Sequence, residues 1–429
     1  MATTSLWVDE LYSIKEYSAK GPSFTMTHYI PNNHIFFNLL NSVTPGRDRF
    51  NPLRARLWSV IFVALAFLII IVSQALAGQL FEGSFQSFLF LANLSYLDLI
   101  LQARGYSVLA FATMSCIVLT WDYFRRPSLV AFVGMALVVW LGAWSVPSFV
   151  FFGGALFLVL LIYTRDWRWL ASGLFALALS VLSYWPIRSA VLESSRTYAA
   201  QWGTEFATWA AIGDIFSGYL CFGANAWLTF LVVTLVTVAF FLGHIESPAE
   251  KASLCLGLAM LLSFTACLKL QTPLKRTMAF TVIPFGFIAT TLLARLLRSV
   301  APRWQRLGIM FGITIAALVF AGHVQKTFHF VPMEAWLETA RTIERRFPKG
   351  TEVAAQFRPE LLSLYLSPDY PMTKQFDTAK FMAAKQIVVD SSFMPERRFQ
   401  INQLPRGYAA TTVRQRRGGK QTIYFWPTD

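Results

Sequence analysis

The sequence predicts an all-α polytopic membrane protein carrying a small extramembrane α/β domain at its C-terminal end. Apolar residue types make up 55% of the 429 residues and charged types only 14%, where an ordinary soluble domain holds about a quarter charged. Apolar stretches near the length that crosses the hydrocarbon core of a bilayer recur between residues 57 and 323. Beyond them the pattern changes to one helical period followed by several strand-like runs.

Ten spans are expected, at about 57–77, 84–101, 105–121, 128–145, 147–164, 169–185, 224–243, 251–268, 277–297 and 308–323. An even number places residues 1–56 and 324–429 on the same side. The other side receives the short loops Asp122–Pro127, Arg165–Arg168, His244–Lys251 and Arg295–Arg306. These hold Arg125, Arg126, Arg165, Arg168, Lys251, Arg295, Arg298, Arg303 and Arg306. Lys and Arg collect in cytoplasmic loops, so both termini are expected outside. Arg104, Arg188, Arg196, Lys269, Lys275 and Arg276 fall on the outer side against that trend and call for a local reason. No hydrophobic segment precedes residues 1–56 to carry them across. A further helix ahead of residue 1, and eleven spans in the complete protein, are therefore expected.

Three regions follow: an outer loop with interfacial helices at 1–56, a helical membrane domain at 57–323 and an outer-face α/β domain at 324–429. The loop 186–223 carries Trp202, Trp209 and Tyr219 among charged residues, which suits helices lying in the interface. In the last region Pro332–Phe347 is helical in period, while Glu352–Phe357 and Gln386–Asp390 read as strands. Tyr408–Arg414 and Gln421–Trp426 flank Arg417-Gly418-Gly419, a hairpin signal.

The net charge of +14 is assigned to loops facing lipid headgroups. Nucleic-acid binding would need a clustered basic face on a soluble domain, so no such partner is expected. Cys116, Cys221, Cys255 and Cys267 lie in or beside apolar segments, without metal or disulfide spacing, and read as buried structural thiols.

Five places offer chemistry. Asp9-Glu10 stands among Trp7, Val8, Leu11 and Tyr12; adjacent acids at a membrane boundary suit a general base facing a lipid-borne substrate. Acids also favour the first turn of any helix, and spacing alone prefers that plainer account. Tyr29-Ile30-Pro31-Asn32-Asn33-His34 marks a structured turn before an apolar helix starting near Ile35. There Asn32 or Asn33 is the expected cap, and His34 suits a phosphate or sugar hydroxyl, or merely completes the turn. Arg54-Ala55-Arg56 stands at the outer end of the first span, where Arg either forks onto phosphate or snorkels to headgroups. Gln102-Ala103-Arg104-Gly105-Tyr106 joins two spans; its charge needs water or a cavity, or else Arg and Tyr are interfacial anchors. Lys275-Arg276 adds two cations just before the ninth span.

Together these motifs resemble the GT-C superfamily of integral-membrane glycosyltransferases, nearest to the type of protein O-mannosyltransferases and aminoarabinose transferases (glycosyltransferase family 39-like). The resemblance runs from Trp7-Val8-Asp9-Glu10 through Pro31-Asn32-Asn33-His34 and Arg54-Ala55-Arg56-Leu57 to Ala103-Arg104-Gly105-Tyr106, with an echo at Lys275-Arg276 and Pro284. It implies a sugar transferase with Asp9 as base and Glu10 in support, and a polyprenyl- or dolichyl-phosphate sugar as donor. His34, Arg56, Arg104, Lys275 and Arg276 would face substrate or lipid phosphate. The acceptor would be a lipid, glycan or protein on the outer, periplasmic side of a bacterial inner membrane. Many members carry an acidic residue directly after the arginine of the second motif, where this chain has Gly105-Tyr106. That departure leaves open both the sugar class and a divalent cation; no other cofactor is implied. A transporter or lipid-sugar flippase is the first alternative, although charges near the bilayer midplane are few and Asp98 is the clearest. A polymerase or ligase using lipid-diphosphate donors, and a non-catalytic scaffold, are the others.

Overall fold

The computed structural model describes residues 6, 8–29, 33–44, 51–76, 94–201, 245, 247–270, 275–300, 336–355, 362–363, 365–373, 376–391, 404, 407–414 and 420–427. The expected spans 224–243 and 308–323, Cys221, and the loop from 202 to 223 lie outside the described residues. The chain divides into two compact units: residues 16–45 with 56–328, and residues 1–15 with 46–55 and 329–429.

In chain order the helices are α1 (Val8–Glu16), α2 (Pro22–Thr27), α3 (Ile35–Val43), α4 (Pro52–Ala55), α5 (Leu57–Leu76), α6 (Leu94–Ile100), α7 (Tyr106–Arg125), α8 (Leu129–Ser145), α9 (Phe149–Thr164), α10 (Arg168–Tyr184), α11 (Arg188–Gln201), α12 (Pro248–Leu270), α13 (Val282–Val300), α14 (Trp336–Arg346) and α15 (Thr378–Met382). Among the described residues four helical stretches are long and apolar enough to cross a membrane: α5, α7, Arg168–Ser194 and the first twenty residues of α12. Leu129–Ser145, Phe149–Thr164 and Met278–Leu292 are shorter and equally apolar in kind.

The helical unit is built around α7. It packs on α5, α8, α12 and α13, and 78% of its apolar window is buried against 17% for Arg168–Ser194 at the rim. A helix so enclosed can carry polar residues, and Ser107, Thr113, Ser115 and Thr120 are all buried on it. Thr113 donates back to the carbonyl of Leu109 at 2.8 Å, the usual way a helix absorbs such a hydroxyl. Between α8 and α9 a small residue sets the distance: a Cβ on Gly153 would lie 2.3 Å from Val139 Cγ1. Cys116, Cys255 and Cys267 are buried free thiols.

Local signals explain the ends. α7 stops at Arg126-Pro127, and Ser128 caps α8 by accepting from the Ala131 N–H at 3.3 Å. Ser247-Pro248-Ala249-Glu250 forms a reciprocal capping box at the start of α12: Ser247 N–H donates to Glu250 Oε2 at 3.1 Å and Glu250 N–H to Ser247 Oγ at 3.3 Å. Glu250 also reaches Arg295 of α13 at 3.8 Å.

The ninth span, expected at about 277–297, is entered by a 3-10 turn over residues 275–281, and α13 starts at Val282. Pro284 then falls in the first turn of α13, where its missing N–H has no intrahelical partner to lose, so it breaks nothing. Asn33 does not cap α3. His34 takes the cap position without a side-chain cap bond. Asn33 Nδ2 instead donates to the carbonyls of Thr25 at 3.1 Å and His28 at 2.7 Å, while its Oδ1 accepts from Asn38 at 2.9 Å.

The second unit carries a five-stranded sheet made of β1 (Glu352–Ala355), β2 (Met372–Thr373), β3 (Gln386–Ser391), β4 (Ala409–Arg414) and β5 (Lys420–Phe425), in the order β2-β1-β3-β5-β4. β1 runs parallel to both β2 and β3, and the β4–β5 hairpin adds antiparallel to β3. The hairpin pairs Arg414 with Lys420 across the tip that contains Gly418-Gly419. Trp336, Thr339, Ala340 and Ile343 are the buried residues of α14, the i, i+3, i+4, i+7 stripe of a helix laid on a core. Asp377 caps α15 by accepting from the N–H groups of Ala379 at 2.9 Å and Lys380 at 3.1 Å.

Candidate active site

In the sheet-bearing unit, Asp9 and Glu10 occupy the first turn of α1 and Lys15 the last, an arrangement the helix dipole favours. The dipole does not account for their difference in exposure. Glu10 is fully buried while Asp9 is only partly so. Successive helix residues point about 100° apart, so one carboxylate is set into the core and its neighbour is left more open.

In the helical unit, His34, at the start of α3, is buried and lies at 3.1 Å from the backbone carbonyl of Ser145 through Nδ1. A carbonyl only accepts, so Nδ1 carries the proton, and in the neutral form of the ring Nε2 is the acceptor. Tyr106 stands edge-on to the same imidazole, with centroids 5.1 Å apart. Arg104 lies over the Tyr106 ring at 5.2 Å, and its side chain is 2% exposed. Gly105 makes this possible: a Cβ there would sit 2.9 Å from the Ser145 carbonyl oxygen and 3.0 Å from His34 Nδ1.

Further contacts bring other residues to the same end of the bundle. Ser59 Oγ donates to the Gln102 carbonyl at 2.5 Å, which sets the start of α5, and the buried Arg56 ahead of it, beside the 102–106 turn. Tyr184, at the end of α10, donates to the carbonyl of Ala143 at 2.9 Å and meets the Tyr29 ring at 6.4 Å. Phe280, in the 3-10 turn that begins with Lys275 and Arg276, packs on Phe149 at 5.1 Å and Phe152 at 5.4 Å. The backbone of that turn thus reaches the start of α9. Buried guanidinium groups are costly unless hydrogen-bonded or paired with negative charge, and both Arg56 and Arg104 are buried at this end.

The opposite end gathers Tyr123, Phe132, Asp166, Arg168 and Trp169. Arg168 grips Asp166 at 2.8–3.1 Å through Nε and Nη2, Tyr123 donates to Asp166 Oδ2 at 3.2 Å, and Tyr123 meets Trp169 at 4.9 Å. The hydrogen bonds from Arg168 hold the Asp166 carboxyl below the usual carboxylate range. Among the described residues no group of three or more His, Cys, Asp and Glu is placed to hold a metal ion.

Sequence reasoning singled out His34, Arg104 and Arg56 separately. It missed that Tyr106 bridges the first two and that the end of α8 supplies the carbonyl fixing His34. The glycine between Arg104 and Tyr106 was the available signal, since a turn that must let another helix end approach needs a residue without Cβ.

No protein-family model matches the sequence, and no curated protein matches it. Solved structures do. The chain is similar to the crystal structure of ArnT from Cupriavidus metallidurans bound to undecaprenyl phosphate, with a TM-score of 0.57 and 14% identity, over 98% of this chain and 94% of that one. It is similar to the same protein in the apo state with a TM-score of 0.54 and 13% identity, again over 98% and 94%. At this level of identity the likeness is one of fold: the chain shares the fold of the ArnT structures over nearly its whole length, and its long apolar helices are those of an integral membrane protein.

Proposed function

We propose that the protein transfers a sugar from a polyprenyl-phosphate-linked donor to a lipid, glycan or protein acceptor at the outer, periplasmic face of a bacterial inner membrane. The observation that carries this reading is the pair of buried arginines, Arg56 and Arg104, at one end of a GT-C bundle. The similar ArnT structure is described as bound to undecaprenyl phosphate, and a lipid phosphate is the ligand such a cationic, water-poor end would hold best.

In this mechanism Asp9 takes the proton of the acceptor hydroxyl as its oxygen attacks the anomeric carbon. The bond from that carbon to the phosphate oxygen breaks, and the phosphate leaves with the electron pair, so the anomeric centre inverts. Arg56, Arg104, Lys275 and Arg276 stabilise the charge that grows on the phosphate. His34 accepts a hydrogen bond through Nε2 from a donor hydroxyl, held in that tautomer by Ser145. Glu10, fully buried beside it in the first turn of α1, supports Asp9 as the base. The region 1–56 supplies the base, 57–323 the lipid-facing bundle and 324–429, with the loop 186–223, the acceptor surface.

The test is donor-dependent labelling in membranes with radiolabelled polyprenyl-phosphate sugars, comparing the wild type with Asp9→Asn and Arg104→Ala at matched insertion. Transfer is expected to fall by about 10²-fold or more in Asp9→Asn, the scale of general-base catalysis. Undiminished turnover in that variant would remove the assigned base. Uptake or flipping of a lipid-linked sugar, with no acceptor labelled, would instead favour a transporter.

A further inference from the structure

A crevice of about 250 Å³ runs between α9 and α10, lined among others by Gly154, Leu158, Leu161, Leu170, Gly173 and Leu174. Of its two glycines Gly154 borders open space, while Gly173 lies close against Phe157, 3.3 Å from an added Cβ. A Cβ added to Gly154 meets nothing within 4 Å, whereas larger side chains there would close the gap. The lining is almost wholly apolar, and it continues toward the loop Arg165–Arg168, at the end of the bundle opposite His34 and Arg104.

That loop carries a second, independent feature. Arg165 is exposed and adopts a left-handed backbone, φ 56°, at the C-terminal cap of α9. Glycine or asparagine would take this conformation with less strain, so the arginine sits there against its backbone preference. Among the described residues no ion pair engages it. At this end the loops 122–127 and 165–168 carry Arg125, Arg126, Arg165 and Arg168 against Asp122 and Asp166, a surplus of +2, and the Arg295–Glu250 pair and Lys251 belong to the same side. Trp167, 71% exposed in the same loop, is placed as an interfacial anchor.

We propose that this crevice is an anionic-phospholipid site. One acyl chain lies against Gly154, Leu158 and Gly173, and the phosphate headgroup rests on Arg165 with Arg168 beside it. The site is separate from the proposed transfer end and does not depend on that reading.

Native mass spectrometry of the full chain in detergent tests it, using phosphatidylglycerol and phosphatidylcholine with identical acyl chains. The wild type is expected to retain phosphatidylglycerol several-fold more than phosphatidylcholine. Arg165→Gln should bring that ratio close to one, and Gly154→Leu should reduce retention of both lipids. Should Gly154→Leu fail to fold, Leu174→Trp fills the same space from α10 and is expected to give the same loss. Unchanged retention in the filled variants, or an unchanged preference in Arg165→Gln, would overturn the proposal. Displacement of phosphatidylglycerol by equimolar polyprenyl phosphate would also overturn it, by assigning the crevice to a prenyl tail. The readout is lipid retention rather than transfer, so failure here leaves the transferase reading to its own test.

Discussion

Replacing Gly105 with alanine places a methyl group 2.9 Å from the Ser145 carbonyl oxygen and 3.0 Å from His34 Nδ1. Backbone strain plays no part, because Gly105 has an ordinary φ of −65°. Steric contact is therefore isolated. The nearer atom belongs to the backbone at the end of α8 and cannot swing away, so either α8 shifts or the imidazole leaves its 3.1 Å hydrogen bond. Forced repacking of this kind costs about 1–3 kcal/mol, and a buried carbonyl stripped of its donor costs about 1–3 kcal/mol. Alanine returns about 0.4–1 kcal/mol by restricting the unfolded chain. If one of the two penalties is incurred, the net loss is about 0–2.6 kcal/mol, centred near 1.3 kcal/mol. Thermal unfolding in detergent reads that loss, and Gly154→Ala provides the control. With nothing within 4 Å of its added Cβ, the control should be neutral or gain up to about 1 kcal/mol from helix propensity. Gly105→Ala should also lower sugar transfer, since it moves His34. Equal stability of Gly105→Ala and the wild type, with transfer intact, would refute the close approach of α8, His34 and the 104–106 turn.

The Asp166 carboxyl is held below its usual range by Arg168, so its contribution to stability is complete above the unfolded-state value, about 3.9, and is lost as pH falls through the lower folded value. Asp166→Asn should therefore flatten the acid limb of an unfolding curve and cost about 0.5 kcal/mol at neutral pH, a small value because Arg168 is exposed. Ser247→Ala removes half of the capping box on α12 and should cost about 1 kcal/mol in chemical unfolding. Trp336→Ala empties a site that is 1% exposed under α14 and should cost about 3–5 kcal/mol. Its signature is faster proteolysis within 336–425 while the helical unit still inserts.

The helices that cross the bundle were legible because lipid and a shared core both demand apolar runs of fixed length. Proline and serine punctuation then marked their limits, as at Pro127-Ser128. Strands β1, β3, β4 and β5 were legible within two residues, β1 and β3 as short runs buried along most of their length and β4 and β5 by the glycine turn signal between them. The two-residue β2 was not, since a strand that short has no period. Asn33 misled because an asparagine before an apolar helix normally caps it. Here three polar groups of α2 and α3, distant by five to eight residues, compete for the same side chain and win. At the candidate site the residue types were visible but their assembly was not. The link from His34 to Arg104 passes through Tyr106 and a main-chain carbonyl 111 residues away, and a backbone carbonyl leaves no mark in a sequence.

The burial of α7 bears on how the protein is made. Of the four long apolar stretches, α7 and α12 are the most buried and the least apolar, while α5 and Arg168–Ser194 are more apolar and more exposed. A nascent α7 leaving the insertion machinery thus has the weaker claim on lipid. Its hydroxyls find their surroundings only once α5, α8, α12 and α13 have closed around it. The remainder of that enclosure comes from α12 and α13, which are synthesised more than a hundred residues later. During that interval α7 must rely on α5 and α8 alone. Substitutions at the α5–α7 contact, such as at Phe62 or Phe111, which meet at 5.7 Å, should then act on assembly during synthesis. Their effect would be lower yield of correctly inserted chain, with finished molecules of near-normal stability.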